Sequence, residues 1–103
     1  MQRLTLVRYA AKPDCADENE ALARAVHAEL RAAAPTGLAY LLFRDNTEFV
    51  HLFVNTQEDD AEPLTSLPAF KAYAADIQGR CQAPPEQTRL SVTLLESYGL
   101  SPE

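Results

Sequence analysis

The stretch Leu38–Asn55, LAYLLFRDNTEFVHLFVN, constrains the chain more than any other. Two runs of aliphatic, aromatic and β-branched residues flank Asp45-Asn46, residue types that tolerate the left-handed backbone of a tight turn. Runs this close in sequence pair as an antiparallel hairpin. Successive side chains in a strand point to opposite faces. Here both faces are largely apolar, so the hairpin needs cover on both sides.

The flanking segments supply that cover. Arg3–Tyr9 alternates and reads as strand one, broken by KPD. In DCADENEALARAVHAELRAAA, Asp14 or Asp17 can cap a helix, and Leu22, Val26, Leu30 and Ala33 recur at helical spacing, joined by Ala25. Pro35–Gly37 stops that helix. After the hairpin comes an acidic loop, TQEDDAEP. A second helix follows, capped by Ser66 and carrying Leu67, Phe70, Ala74, Ile77 and Cys81 on one stripe. APPE ends it, and Thr88–Tyr98 is strand four. The order β-α-β-β-α-β predicts an α+β, ferredoxin-like domain over residues 1–103: a four-stranded antiparallel sheet with both helices on one face.

Alternation divides the strands into two sets. Leu4, Leu6, Ala39, Leu41, Phe43, Val50, Leu52, Val54, Leu90, Val92 and Leu94 form an almost wholly apolar set, the expected helix-covered core. Thr5, Val7, Tyr9, Leu38, Tyr40, Leu42, Arg44, Phe49, His51, Phe53, Asn55, Ser91, Thr93 and Leu95 form a mixed set. A hairpin loop of two or four residues, placing Tyr40 opposite His51 and Leu42 opposite Phe49, keeps the sets separate; a three-residue loop exchanges the faces. The mixed face is too apolar to stand in water. A second copy of the sheet, packed by two-fold symmetry, is the simplest cover and would enclose a cavity.

Charge and cysteine content exclude several classes. The formal net charge is −6 with scattered Lys and Arg, the reverse of a nucleic-acid or anionic-membrane surface. No run is long enough to span a bilayer, and MQRLTLVRYAAK lacks the apolar core of a signal peptide. The expected location is the cytoplasm. Cys15 and Cys81 suit neither a CxxC site nor a disulfide framework and read as reduced thiols, although helix one begins and helix two ends at the same edge of the fold. QEDDAE lacks the spacing and the Gly of a calcium loop.

Across nearly its whole length the sequence resembles the dimeric α/β-barrel proteins related to antibiotic-biosynthesis monooxygenases. Strand one followed by KPDCADENEAL, then GLAYLLFR, FVHLFV, and PLTSLPAFKAYAADI leading into the last strand carry the resemblance. It implies a homodimer made through the sheet face. It also implies oxidation of small aromatic or quinol-like substrates without metal, flavin or other cofactor. The haem-degrading members use an Asn on strand one, a Trp, and a His on helix two. Here the first Asn is Asn19 on helix one, Trp is absent, and helix two has no His. The resemblance therefore does not extend to haem.

His51 is the candidate general base, since imidazole titrates near neutrality. Tyr40 and Asn55 are its candidate catalytic partners, with Tyr73 and Tyr98 as further phenols. Phe49, Phe53, Leu42, Val7, Tyr9 and Arg44 are the expected pocket. The commoner alternative is a His buried and hydrogen-bonded to Tyr40. Metal ligation would need three or more ligands, and this face carries one His. His27, among Glu20, Arg24 and Arg31 at helical offsets, reads as a solvated helix residue. Two functions remain open: a cofactor-independent monooxygenase, or a non-catalytic homodimer that binds a small apolar ligand or serves a structural role.

Overall fold

A computed structural model describes residues 2–56 and 62–102. The elements run β1 (Gln2–Ala10), α1 (Ala16–Ala33), β2 (Leu38–Asp45), β3 (Glu48–Asn55), α2 (Glu62–Thr65), α3 (Pro68–Ala75), α4 (Ile77–Arg80) and β4 (Glu86–Val92). The four strands form one sheet in the order β2-β3-β1-β4, every neighbouring pair antiparallel. This is the ferredoxin-like arrangement. The acidic run at 57–61 lies outside the described residues.

The hairpin turns one residue later than the sequence suggests, which shifts the cross-strand register by two. Asp45 pairs with Glu48, so Asn46 and Thr47 form the loop, and Asn46 takes the positive φ of 56°. Leu42 therefore faces His51 across the strands, and Tyr40 faces Phe53. A shift of two residues leaves the two side-chain sets unmixed.

The helices cover the mixed set, not the apolar one. Tyr9, Phe49, His51, Phe53 and Asn55 are buried, and the core continues through Ala16, Asn19, Ala23 and Val26 of α1 to Leu64 and Tyr73. The apolar set forms the opposite, open face. Its cross-strand rows are Leu90–Leu4–Val54–Ala39 and Thr88–Leu6–Leu52–Leu41, followed by Glu86–Arg8–Val50–Phe43. Leu90 is 53% exposed and Phe43 44%. The expectation failed because uniform apolarity favours burial of a face without specifying that helices provide it. The polar groups of the mixed face can lie under helices because they satisfy one another.

Three local departures shape the site. α1 is preceded by Cys15 with no side-chain cap, and it ends at Ala34 with φ 48°, just before Pro35. The single second helix is broken into α2, α3 and α4. Leu67, extended as a residue before proline prefers, separates the first two. Glu29 of α1, rather than Ser66, takes the α3 cap role: the Ala69 amide donates to its Oε1 at 2.8 Å. Lastly, β4 is Glu86–Val92 rather than Thr88–Tyr98. Its partner among the described residues is β1, which begins at Gln2 opposite Val92, so the ladder ends there and Tyr98 stands fully exposed.

Candidate functional site

Six polar side chains, each from a different element, meet beneath the helices. His51, 3% exposed at the centre of β3, has both ring nitrogens occupied. Its Nδ1 lies 2.6 Å from Tyr40 Oη of β2. Its Nε2 lies 2.8 Å from Tyr9 Oη of β1 and 3.1 Å from Tyr73 Oη of α3. The Tyr9 and Tyr73 hydroxyls are hydrogen-bonded to each other at 2.5 Å. Asn19 Nδ2 donates to Tyr9 Oη at 2.8 Å, and Arg80 Nε donates to Asn19 Oδ1 at 3.0 Å. Arg80, itself 4% exposed, also donates from Nη2 to the Tyr73 carbonyl at 2.7 Å and lies over the Tyr73 ring.

Either neutral tautomer of His51 is satisfied by this set. If Tyr40 donates to Nδ1, Nε2–H donates to a phenol oxygen of the Tyr9–Tyr73 pair; in the other tautomer those roles reverse. Burial drives the electrostatics. It pulls the His51 pKa down to about 4, so the ring is neutral at pH 7. Burial likewise pushes the Tyr40, Tyr73 and Tyr9 phenols above their usual value, so all three hydroxyls hold their protons.

A cavity of about 240 Å³ opens beside this network, between the sheet and the α2–α3 segment. Tyr40, His51 and Tyr73 form its reactive wall. Val7, Phe53, Leu64 and Phe70 supply apolar surface, while Asn55, Gln87, Arg3 and Arg89 lie at its polar side. It lies within one chain, on the helix side of the sheet, so a second sheet is not needed to enclose it. Among the described residues no cluster of His, Cys, Asp and Glu could hold a metal ion.

The residues expected at the site divide as follows. Tyr40, His51, Asn55, Val7 and Phe53 line the cavity together. Tyr9 and Phe49 stack behind it, with ring centroids 5.6 Å apart. Leu42 packs against the core beside His51. Arg44 lies over Phe49 and pairs with Asp17 and Glu20 of α1 at 3.1 and 2.8 Å, closing the other end of the sheet. His27 is half-buried instead of solvated. Its ring meets Tyr40 edge-on at 4.4 Å, and its Nε2 has no hydrogen-bond partner among the described residues. Cys15 and Cys81 are free thiols.

Arg80 was not indicated by the sequence reading, and Asn19 entered it only as the first Asn of the chain. One signal could have found Asn19: it falls on the inner stripe Ala16–Asn19–Ala23–Val26–Leu30, and an Asn there demands a polar partner on the facing sheet.

The fold is that of the antibiotic-biosynthesis-monooxygenase-like proteins. The Rv0793 protein of Mycobacterium tuberculosis superposes with a TM-score of 0.78 at 20% identity, covering 94% of this chain and all of that one. A candidate antibiotic biosynthesis monooxygenase from Caulobacter crescentus gives 0.75 at 20% identity, covering 90% of this chain and 91% of the other. SnoaB, a cofactor-independent oxygenase from Streptomyces nogalater, gives 0.67 at 16% identity, covering 91% and 95%. No protein-family profile and no curated protein matches the sequence.

Proposed function

We propose that the chain is a cofactor-independent monooxygenase acting on small aromatic or quinol-like substrates, with the cavity beside His51 as its active site. The observation that carries this reading is the contact of Tyr40 and His51 with each other and with one apolar cavity. In the overall reaction one atom of O₂ enters the substrate carbon skeleton. The other leaves as water with two hydrogens and two electrons drawn from the substrate. The first requirement is an electron-rich substrate anion.

Because both His51 nitrogens are occupied, the base acts through a phenol. The substrate hydroxyl gives its proton to Tyr40 Oη as Tyr40 passes its own to His51 Nδ1, leaving an imidazolium beside a phenolate. The energetics are tolerable. A phenol of ordinary pKa, about 10, lies about six units above His51, or about 8 kcal/mol uphill. Opposite charges about 4 Å apart return about 4 kcal/mol at an effective dielectric of about 20. The remaining ~4 kcal/mol is a fraction of the ~16 kcal/mol barrier that corresponds to about ten turnovers per second.

The same proposal includes a homodimer through the open sheet face, whose central rows of Leu4, Leu6, Leu41, Leu52 and Val54 form an apolar patch that a monomer seldom leaves in water. A second function, ligand binding without chemistry, is favoured by the completeness of the His51 hydrogen bonding. Oxygen uptake with a panel of anthrones and hydroquinones separates the two. The enzyme reading expects uptake by the unaltered chain and at least a tenfold loss in Tyr40→Phe and His51→Gln. Uptake by none of the three proteins refutes catalysis, and equal rates in all three remove the Tyr40–His51 pair from the mechanism.

A further inference from the structure

We propose that the cavity selects a small aromatic substrate carrying a carboxylate, with Arg89 as its anion-binding residue. This rests on the cavity being the substrate site and narrows the class of molecule that it takes. Size sets the first limit. At about 240 Å³ the cavity falls below the roughly 300–1,000 Å³ that drug-sized ligands occupy, which points to one or two rings rather than an extended polycycle.

Charge sets the second limit. The protein is acidic overall, with a formal net charge of −6, yet two guanidinium side chains, Arg3 and Arg89, line this one cavity. Arg89 makes no ion pair among the described residues. Its neighbour there is the Gln87 amide, whose oxygen, when turned toward it, accepts from Nε and Nη2 at 3.2 Å each. That contact is neutral, and among the described residues no carboxylate offsets the Arg89 charge. A planar guanidinium matches a carboxylate through two parallel hydrogen bonds.

Sheet register supplies the spacing. Tyr40 pairs with Phe53, Phe53 with Thr5, and Thr5 with Arg89, so Tyr40 and Arg89 stand three strands apart in one cross-strand row. With strands ~4.8 Å apart, their backbones are about 14 Å apart. Both residues line the cavity, and Phe53 lines it between them. A ring with a hydroxyl at one end and a carboxylate at the other spans that gap, placing the hydroxyl at Tyr40 and the carboxylate at Arg89.

Calorimetric titration of the full chain with hydroquinone, 2,5-dihydroxybenzoate and the methyl ester of that acid tests this. The acid should bind about tenfold to a hundredfold tighter than the other two, as a charge-assisted pair demands. Arg89→Gln should remove that preference while leaving hydroquinone affinity within about twofold. Equal affinity for all three, a preference that survives Arg89→Gln, or no binding of any of them overturns the proposal. Oxygen uptake is read separately. A carboxylate preference without uptake refutes only the monooxygenase function, and uptake without the preference refutes only this inference.

Discussion

Replacing Asn19 by Ala should be among the most destabilising single changes in the chain. Its side chain is fully buried and joins two groups that have few other options. Nδ2 donates to Tyr9 Oη at 2.8 Å, and Oδ1 accepts from the buried Arg80 Nε at 3.0 Å. The first bond is neutral, worth about 1 kcal/mol; the second involves a cation and is worth about 1.5–3 kcal/mol. Together they predict a loss of about 3 kcal/mol, a large share of the roughly 5–15 kcal/mol that holds a domain folded. With a urea dependence of about 2 kcal/mol per molar, the unfolding midpoint should fall by about 1.5 M. Asn19→Asp keeps an acceptor for Arg80, and the Tyr9 hydroxyl can donate to it, so it should cost less than half as much. A midpoint shift below ~0.5 M for Asn19→Ala, or equal losses for both variants, would refute the linkage of α1 to the His51 network through Asn19.

Two further predictions concern the same faces. His51 has a folded pKa of about 4 against about 6.5 unfolded, so the native state resists its protonation. Its contribution is therefore complete above pH 6.5 and is lost as pH falls through that value toward 4, by about 3 kcal/mol in all. Urea unfolding at pH 7.5 and pH 4.5 should show a smaller difference in His51→Gln than in the unaltered chain, by about 2.5 kcal/mol. Leu52→Glu places a charge at the middle of the open apolar face. If the proposed homodimer forms through this face, sedimentation should show a dimer for the unaltered chain and a monomer for the variant, with far-ultraviolet circular dichroism unchanged because Leu52 points away from the helix-side core.

The order of elements was legible in the sequence because each boundary carries its own signal: KPD after β1, Pro35–Gly37 after α1, Asp45–Thr47 in the hairpin, Pro84-Pro85 before β4. Alternation also separated the two strand faces correctly, as Phe49, His51, Phe53 and Asn55 do share one side. It could not tell which side faces the helices. Leu41, Val50 and Leu52 look like a core, and Tyr9, Tyr40 and His51 look like the lining of a cavity between two sheets, until Asn19, Tyr73 and Arg80 arrive from the helices to satisfy them. Those partners are 10 to 64 residues apart in sequence, and no local period links them. Arg80 carries no such signal, because an Arg near the end of a helix usually faces solvent. Tyr73 stood one position from the Ala74 assigned to the inner stripe, within the error that a break at Leu67 introduces.

The most direct test follows the His51 imidazole nitrogens by nuclear magnetic resonance while a small phenol is titrated in at pH 7. A neutral ring whose signals move together with those of Tyr40 and Phe53 places the ligand in the cavity under the helices. A ring already protonated at that pH, or ligand shifts confined to Leu6, Leu41 and Leu52 on the open face, would contradict an active site at His51.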